Sequence, residues 1–248
     1  MITMMATVAL AASALGQSVY SGNIVGYTKV QLSAGRTDMI GMQFIEVGGA
    51  NALNIQDIVL IDPTDAEDII RFWNPTSKTY TTATYYDETR ISGLGYVGGP
   101  GWGNNSEYRL DDDIPAGQGF WAQTDATTFC MVKGQVIAPE DNELELDAGK
   151  LDFICNPFPC SISIQDIVIN NPTDAEDIIR FWNPTSKTYT TATYYDETRI
   201  SGLGYVGGAG WGDNSEYRLD VDFDIGKGFW IQVCENTSVG FKVPAALE

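Results

Sequence analysis

The stretch PTDAEDIIRFWNPTSKTYTTATYYDETRISGLGYVGG occupies residues 63–99 and returns without a single change at residues 172–208, an offset of 109 residues. Because it contains polar and charged residues as well as apolar ones, the copy preserves surface positions together with core positions. Whatever surface one unit presents, the chain therefore presents twice. A repeat of this length predicts tandem copies of one folded unit.

The similarity extends beyond the identical stretch and sets the expected domain boundaries. Residues 33–40 resemble residues 147–154, and the segment Gly119-Phe120-Trp121 matches Gly228-Phe229-Trp230. We place the first unit at residues 20–133 and the second at residues 134–244, each long enough to bury a core of its own.

The local pattern of the chain is that of short strands separated by Gly, Pro, Asn and Asp. The clearest hairpin joins residues 69–73 to residues 79–85 through Asn74-Pro75-Thr76-Ser77-Lys78, where Asn-Pro starts the turn. Further strands are predicted at 24–32, 38–47, 107–110, 119–123 and 128–137. A short helix fits only residues 55–61 and their counterpart 164–169. The sequence predicts an all-β protein of two tandem, near-identical antiparallel units, each sandwich-like or barrel-like.

The charge balance limits the classes of partner. The chain has a net charge of −19 and an isoelectric point near 4.1. Nucleic acid is disfavoured because its phosphates need a basic face, and anionic membrane surfaces are disfavoured for the same reason. The chain contains no histidine, which removes the commonest hydrolase designs. We expect a protein without catalytic activity, although a two-carboxylate glycosidase remains formally open.

The first sixteen residues are apolar, small and uncharged, and they include the segment Ala12-Ser13-Ala14. This pattern is typical of an export signal, and the segment is too short to span a membrane. The first basic residue is Lys29, so the positive start of a signal is missing. The alternative is an apolar N-terminal arm that docks on a neighbour. We expect a secreted or cell-surface protein.

The four cysteines are Cys130, Cys155, Cys160 and Cys234, an even number that is compatible with an oxidising compartment. Three pairings are open. In one of them Cys155 pairs with Cys160 across a turn-rich loop, and Cys130 pairs with Cys234 to connect the two units.

Two clusters of aspartate indicate a calcium site as one interpretation. Asp220, Asp222 and Asp224 alternate along a predicted strand, and Asp111 and Asp113 lie at the corresponding place in the first unit. Hard cations prefer carboxylate oxygens. The other interpretation is a solvated face that binds nothing, and no other cofactor is expected.

Aromatic side chains are the remaining candidates for a contact surface. Trp102 and Trp211 lie in glycine-rich loops, where little core is expected, and several tyrosines lie nearby. An exposed loop tryptophan can stack on a sugar or anchor a protein partner, and the alternative is a loop that packs on its own sheet. The candidate contact residues are Trp102, Trp211, Tyr96, Tyr205, Tyr86 and Tyr195.

Three features resemble a known type of module. They are an apolar strand ending in Asn156-Pro157, the Phe-Trp-Asn hairpin, and the Gly-x-Gly-Phe-Trp strand that begins at Gly117 and again at Gly226. In the first unit the Asn-Pro position is Met42-Gln43. The chain is similar to tandem β-rich modules of exported surface proteins from environmental bacteria, which have no assigned activity. The resemblance implies a β fold and export, and it implies no functional residues.

Together these observations predict an exported structural or adhesive protein of the cell surface that acts through repeated contact surfaces. Such a protein self-associates or binds other surface proteins, for example as a subunit of a filament or layer, with head-to-tail contact between like units. The alternative is a bivalent carbohydrate-binding module that uses the loop aromatics on a polysaccharide.

Overall fold

A computed structural model of the protein describes residues 24–48, 51–95, 99–104, 106–204, 207–213, 215–245 and 247. In these residues the first unit contains ten strands: β1 (Val25–Leu32), β2 (Thr37–Gly41), β3 (Ala52–Asn54), β4 (Ile58–Leu60), β5 (Ile69–Asn74), β6 (Thr79–Tyr86), β7 (Gly101–Gly103), β8 (Asp113–Pro115), β9 (Gly119–Gln123) and β10 (Thr128–Gln135).

The second unit repeats this series: β11 (Leu144–Leu146), β12 (Leu151–Cys155), β13 (Ile162–Ser163), β14 (Ile167–Ile169), β15 (Ile178–Asn183), β16 (Thr188–Tyr195), β17 (Gly210–Gly212), β18 (Asp222–Phe223), β19 (Gly228–Gln232) and β20 (Thr237–Phe241). The described part of each unit also has one short helix, α1 (Glu88–Gly93) or α2 (Glu197–Gly202), and 3-10 turns lie at Ile55–Asp57, Pro139–Asp141 and Ile164–Asp166.

The two units share one topology. Each has a five-stranded sheet, in the order β2-β9-β5-β6-β7 or β12-β19-β15-β16-β17. Each also has a three-stranded sheet, β1-β10-β4 or β11-β20-β14, and a two-stranded sheet, β3-β8 or β13-β18. Every strand pair within these sheets is antiparallel. The all-β prediction with two tandem antiparallel units is confirmed.

The central hairpin forms as the sequence predicts. Asn74 pairs with Thr79 at the end of β5, and its side-chain oxygen accepts hydrogen bonds from the backbone N–H groups of Thr76 and Ser77 at 3.0 and 2.9 Å. Lys78 completes the turn at a φ of 55°. The side chain of Asn74 thus stabilises the turn that sets the register of β5 against β6.

Other elements differ from the prediction. Strand β2 ends at Gly41, where the chain turns to the other unit, so the predicted strand over 38–47 is only half formed. Residues 107–110 form no strand, because the Asn104 side chain accepts from the backbone of Ser106 and Glu107 and bends the chain there. Strand β10 ends at Gln135, so the expected boundary after residue 133 falls inside the last strand of the first unit.

The hydrophobic core is continuous through both units. It fills the space between the sheets of each unit and extends through Met42 and Ile154 at the contact between them. Within the described residues, no helix is long and apolar enough to cross a membrane.

Candidate interaction surfaces

Trp102 and Trp211 do not form exposed platforms, which corrects the expectation from their glycine-rich surroundings. Each side chain is only 1% exposed. The indole Nε1–H of Trp102 donates to the carbonyl of Ile58 at 2.7 Å, and the ring contacts Tyr85 edge to face. The segment Gly-Trp-Gly is a short strand, β7 or β17, and a strand turns one side chain directly into the core.

A glutamine that the sequence analysis missed explains why glycine flanks this tryptophan. The Gln56 amide donates to the carbonyls of Trp102 and Leu110, both at 2.8 Å, and accepts from the N–H of Trp102 at 3.0 Å. A Cβ at Gly101 would overlap the Gln56 side chain. Gln165 makes the same bonds in the second unit. Gly101 and its counterpart Gly210 therefore make room for the half-buried side chains of Gln56 and Gln165.

Of the four tyrosines predicted as contact residues, two are buried and two lie outside the described residues. Tyr86 and Tyr195 are buried at 8% and 9% exposure, and their rings pack on Tyr108 and Tyr217. Neither presents a free ring to a ligand, which corrects that part of the expectation. Tyr96 and Tyr205 lie outside the described residues.

The aspartates of the calcium hypothesis are exposed but do not converge. Asp220, Asp222 and Asp224 are exposed and alternate with more buried residues, although only two residues of the segment form strand β18. Asp111 accepts a hydrogen bond from the Asn54 side chain at 2.8 Å, and Asp113 is exposed in β8. Over the described ranges, no group of three or more acidic, cysteine or histidine side chains is arranged to hold a metal ion.

The four cysteines are free thiols in this structure, so none of the three open pairings is formed. The buried Cys155 thiol lies near the carbonyl of Met42 at 3.4 Å, whereas Cys160 receives a hydrogen bond from Asn156 on its own loop. Burial raises the pKa of Cys130 to about 12. Cys234 is exposed on the second unit and donates to Glu176 at 2.8 Å, a hydrogen bond that raises its pKa to about 11.

The two units contact each other through reciprocal backbone hydrogen bonds. The Gly41 N–H donates to the carbonyl of Gly226 at 2.9 Å, and the Cys155 N–H donates to the carbonyl of Gly117 at 2.7 Å. Cys155 occupies in β12 the place that Gly41 occupies in β2, and Gly226 is the counterpart of Gly117. The second bond is thus the first with the two units exchanged.

An aromatic interface cluster shows the same reciprocity. It consists of Met39, Trp73, Trp121, Leu151, Phe153, Trp182 and Trp230. The Trp73 indole donates to the carbonyl of Leu151 at 2.6 Å, and the Trp182 indole donates to that of Thr37 at 3.0 Å. Trp73 meets Trp230 edge to face with ring centres 5.5 Å apart, and Trp121 meets Trp182 in the same way at 5.8 Å.

These paired contacts define an approximate two-fold axis between the units. In such an interface the same patch of each partner is used, and the contact closes on itself. The two units of one chain thus meet in a closed contact, while the head-to-tail contact expected between chains stays a prediction. The axis also places every copied surface at two equivalent positions on the outside of the molecule.

One charged contact breaks the two-fold relation. Lys227 pairs with Asp38 across the interface, with 2.6 Å between Nζ and Oδ2. At the equivalent place Gln118 stands for the lysine, beside Asp152 in a shared depression. Partial burial raises the pKa of Asp152 to about 6, with a further rise from Asp147 and an opposing effect of Lys150.

This asymmetry predicts a specific pH dependence of stability. Folding raises the pKa of Asp152 from 3.8 to about 6, so the folded protein binds this proton more tightly than the unfolded chain does. The tighter binding stabilises the folded state fully below pH 3.8, and the contribution is lost as the pH rises through 6. We expect Gln118→Lys to supply the missing partner and to raise the free energy of unfolding at pH 7 by about 1 kcal/mol, a value reduced for the half-exposed position.

The measurement is urea denaturation of the wild type and both variants from pH 4 to pH 7, which brackets the pKa of about 6. Asp152→Asn is the matched control, because it removes this titrating group and should reduce the decline in stability between those limits. Parallel pH profiles for the wild type and Asp152→Asn would contradict this assignment.

Two matching grooves lie at equivalent positions of the units. The first has a volume of about 390 Å³ and is lined by Trp73, Pro75, Thr81, Asp113 and Gln118, among others. The second, of about 380 Å³, is lined by the counterparts Trp182, Pro184, Thr190, Asp222 and Lys227. Each groove combines an aromatic ring, a carboxylate and hydroxyl or amide groups on an open surface.

A second repeated surface is the first half of β6 and of β16. Residues 79–82 are exposed on both faces of the strand, as are residues 188–191. Tyr80 and Tyr189 are 43% and 44% exposed, the largest side chains of these segments.

Comparison of the chain with protein-family models, with curated proteins and with solved structures found no match.

Proposed function

We propose that the protein is an exported structural protein of the cell surface that acts without catalysis and associates through surfaces that it carries in two copies. The observation that carries this proposal is the approximate two-fold axis between the units, supported by the reciprocal bonds of Gly41 and Cys155. The copied stretch is identical in both units, including its solvent-facing residues. A partner that recognises one unit therefore finds the same surface again on the other.

Two equivalent outward surfaces favour polymers over closed dimers. A chain that uses one such surface forms a pair, whereas a chain that uses both is joined to two neighbours and the assembly grows. The interface cluster holds the two surfaces at a constant relative orientation, because it locks the units together through buried rings. Regular growth of a filament or layer needs such a rigid relation between its contacts.

The charge of the chain predicts how association depends on solution conditions. A net charge of −19 makes like copies repel each other, and salt screens this repulsion over a distance of about 10 Å at 0.1 M. Assembly is therefore stronger at high salt and weaker at low salt. The opposite dependence would indicate contacts made by opposite charges.

Light scattering and negative-stain microscopy of the purified protein test the proposal. We expect ordered, unbranched polymers whose average mass rises with protein concentration and with salt. Calcium is added in a separate arm, because a response to calcium beyond that of an equal ionic strength of sodium would support the cation hypothesis. A monomer of constant mass under all of these conditions contradicts the proposed function.

The two matching grooves favour carbohydrate binding as a second candidate. Aromatic rings beside carboxylates and hydroxyls are suited to sugars, and two sites on one chain gain avidity on a polymer. A glycan array compares the wild type with the variant in which exposed Asp113 and Asp222 are both changed to Ala. Binding that disappears in this variant supports the grooves, and equal binding by both proteins excludes them.

A further inference from the structure

Strand β6 is paired over its first six residues on one side and only over its last three residues on the other. Strand β5 pairs with β6 from Thr79 to Thr84. On the opposite side, β7 pairs only with Thr84, Tyr85 and Tyr86. Within the described part of the chain, residues 79–83 have no strand on that side, and residues 188–192 of β16 show the same arrangement.

This open edge lacks the usual protection against strand pairing. Natural edge strands are blunted by charged side chains, proline or bulges. Residues 79–83 are Thr-Tyr-Thr-Thr-Ala, with no charge and no proline, and they are rich in side chains that favour strands. By contrast, the edge strand β1 carries Lys29 in its centre. An unguarded edge of this composition is a site for the addition of a strand.

The geometry points to one occupant. We propose that residues 79–83 pair antiparallel with the same segment of a second copy of this chain, that residues 188–192 do the same, and that the two contacts together build an unbranched filament. This inference rests on the proposed function and specifies the surface through which the protein assembles. In each contact the five-stranded sheets of two chains join edge to edge.

Self-complementarity favours a second copy over an unrelated strand. Antiparallel pairing of a segment with itself places identical residues around a local two-fold axis, so one sequence satisfies both sides. The exposed Lys78 lies at the start of the open edge, and the exposed Glu107 lies at its far end beside Gly103. Pairing brings Lys78 of each chain towards Glu107 of the other and offsets part of the general repulsion.

The open edge is also continuous with the interface between the units. The Tyr80 ring packs on Trp73 with ring centres 5.0 Å apart, and its hydroxyl oxygen accepts a hydrogen bond from the Trp121 indole at 3.3 Å. Tyr189 makes the equivalent contacts with Trp182 and Trp230. Both edges are thus held rigid by the same buried cluster, which lowers the entropy lost when a partner strand binds.

If the open edges are the contact, the size of the assembly depends on how many edges are able to pair. A chain with two self-pairing edges polymerises, a chain with one stops at the dimer, and a chain with none stays a monomer. Thr81→Lys and Thr190→Lys each place a charge on one edge, so that two lysines oppose each other when the changed edge pairs with the same segment of a second copy. Thr81 is exposed and lines the first groove together with Asp112 and Asp113, so we expect the free chain to have room for the longer side chain.

Sedimentation of the wild type, the two single variants and the double variant tests the inference under conditions in which the wild type polymerises. We expect each single variant to have about twice the chain mass of 27.0 kDa and the double variant to have that mass. The control is Ser92→Lys with Ser201→Lys, which adds the same charges on exposed positions of α1 and α2 and should polymerise as the wild type does.

The outcomes separate this inference from the proposed function. If the wild type and the double variant polymerise equally, the edges are not the contact, and the inference fails while the proposed function stands. A wild type that never polymerises overturns both. If the lysine variants do not fold, as judged by circular dichroism, a synthetic peptide of residues 77–85 is added to the wild type. It should shorten the polymers, and unchanged polymers at saturating peptide would overturn the inference.

Discussion

Replacing Trp102 with alanine lowers the free energy of unfolding by about 3–5 kcal/mol, and Trp211→Ala has an effect of the same size. Each indole is fully surrounded in the core, and its N–H is bonded to a buried carbonyl, of Ile58 or Ile167. Truncation leaves a large cavity and an unsatisfied carbonyl, and both effects destabilise the folded state. Urea denaturation of the variants provides the measurement.

A phenylalanine at the same position separates these two effects. Trp102→Phe keeps an aromatic ring but loses the hydrogen bond to Ile58, so we expect a loss of about 1–3 kcal/mol. If Trp102→Ala were nearly as stable as the wild type, the tryptophan would be a surface residue, and the original interpretation of an exposed contact would return. Because these variants are less stable, a loss of sugar or protein binding in them is interpreted only after their folding has been measured.

Replacing Gly41 with leucine separates the two units and lowers the free energy of unfolding by about 3 kcal/mol or more. A Cβ at Gly41 would overlap the side chain of Cys155, its counterpart in the other unit. The reciprocal bonds of Gly41 and Cys155 hold the two units at this distance, so a larger side chain is accommodated only by breaking the interface.

Differential scanning calorimetry distinguishes this result from a local effect. The wild type should unfold in one transition, because the core is continuous through both units. Gly41→Leu should broaden or split that transition. Gly93→Ala is the control, since a Cβ at Gly93 meets no atom within 4 Å. An unchanged single transition in Gly41→Leu would contradict the interface that we describe.

The parts of the fold that the sequence predicts are those with local signals. The hairpin of β5 and β6 was recognisable because Asn74-Pro75 marks the turn and alternating residues mark the strands. Helix α1 was missed because six residues are too few to show a helical period, although Asp87 stands before it and accepts a hydrogen bond from Arg90 as an N-cap.

The candidate sites were predicted less well, because they depend on contacts between distant segments. The glycines around Trp102 predict an exposed side chain, but Gly101 makes room for Gln56, which bonds Trp102 from 46 residues away. The two-fold interface uses residues outside the identical stretch, such as Met39 and Phe153, whose equivalence is weak in the sequence. The open edges are not recognisable from the sequence either, because they depend on where β7 pairs. In the structure β7 pairs only with the end of β6.

Duplication followed by local change explains the asymmetry at the interface. One half has the ion pair between Lys227 and Asp38, whereas the other half has Gln118 beside a carboxyl, Asp152, with a raised pKa. The open edges, in contrast, are identical in both copies. The open edges have thus stayed identical in the two units, while the charged contact between the units has diverged.

Hydrogen exchange measured by mass spectrometry, on the wild-type protein in its polymerised and dispersed forms, tests the central claim most directly. Peptides from residues 75–85 have the same sequence as those from residues 184–194, so one isotope pattern reports on both edges. Pairing of both edges predicts a single slowed population for this peptide in the polymer. A peptide that exchanges equally fast in both forms, or two populations of which one is unprotected, would contradict the account.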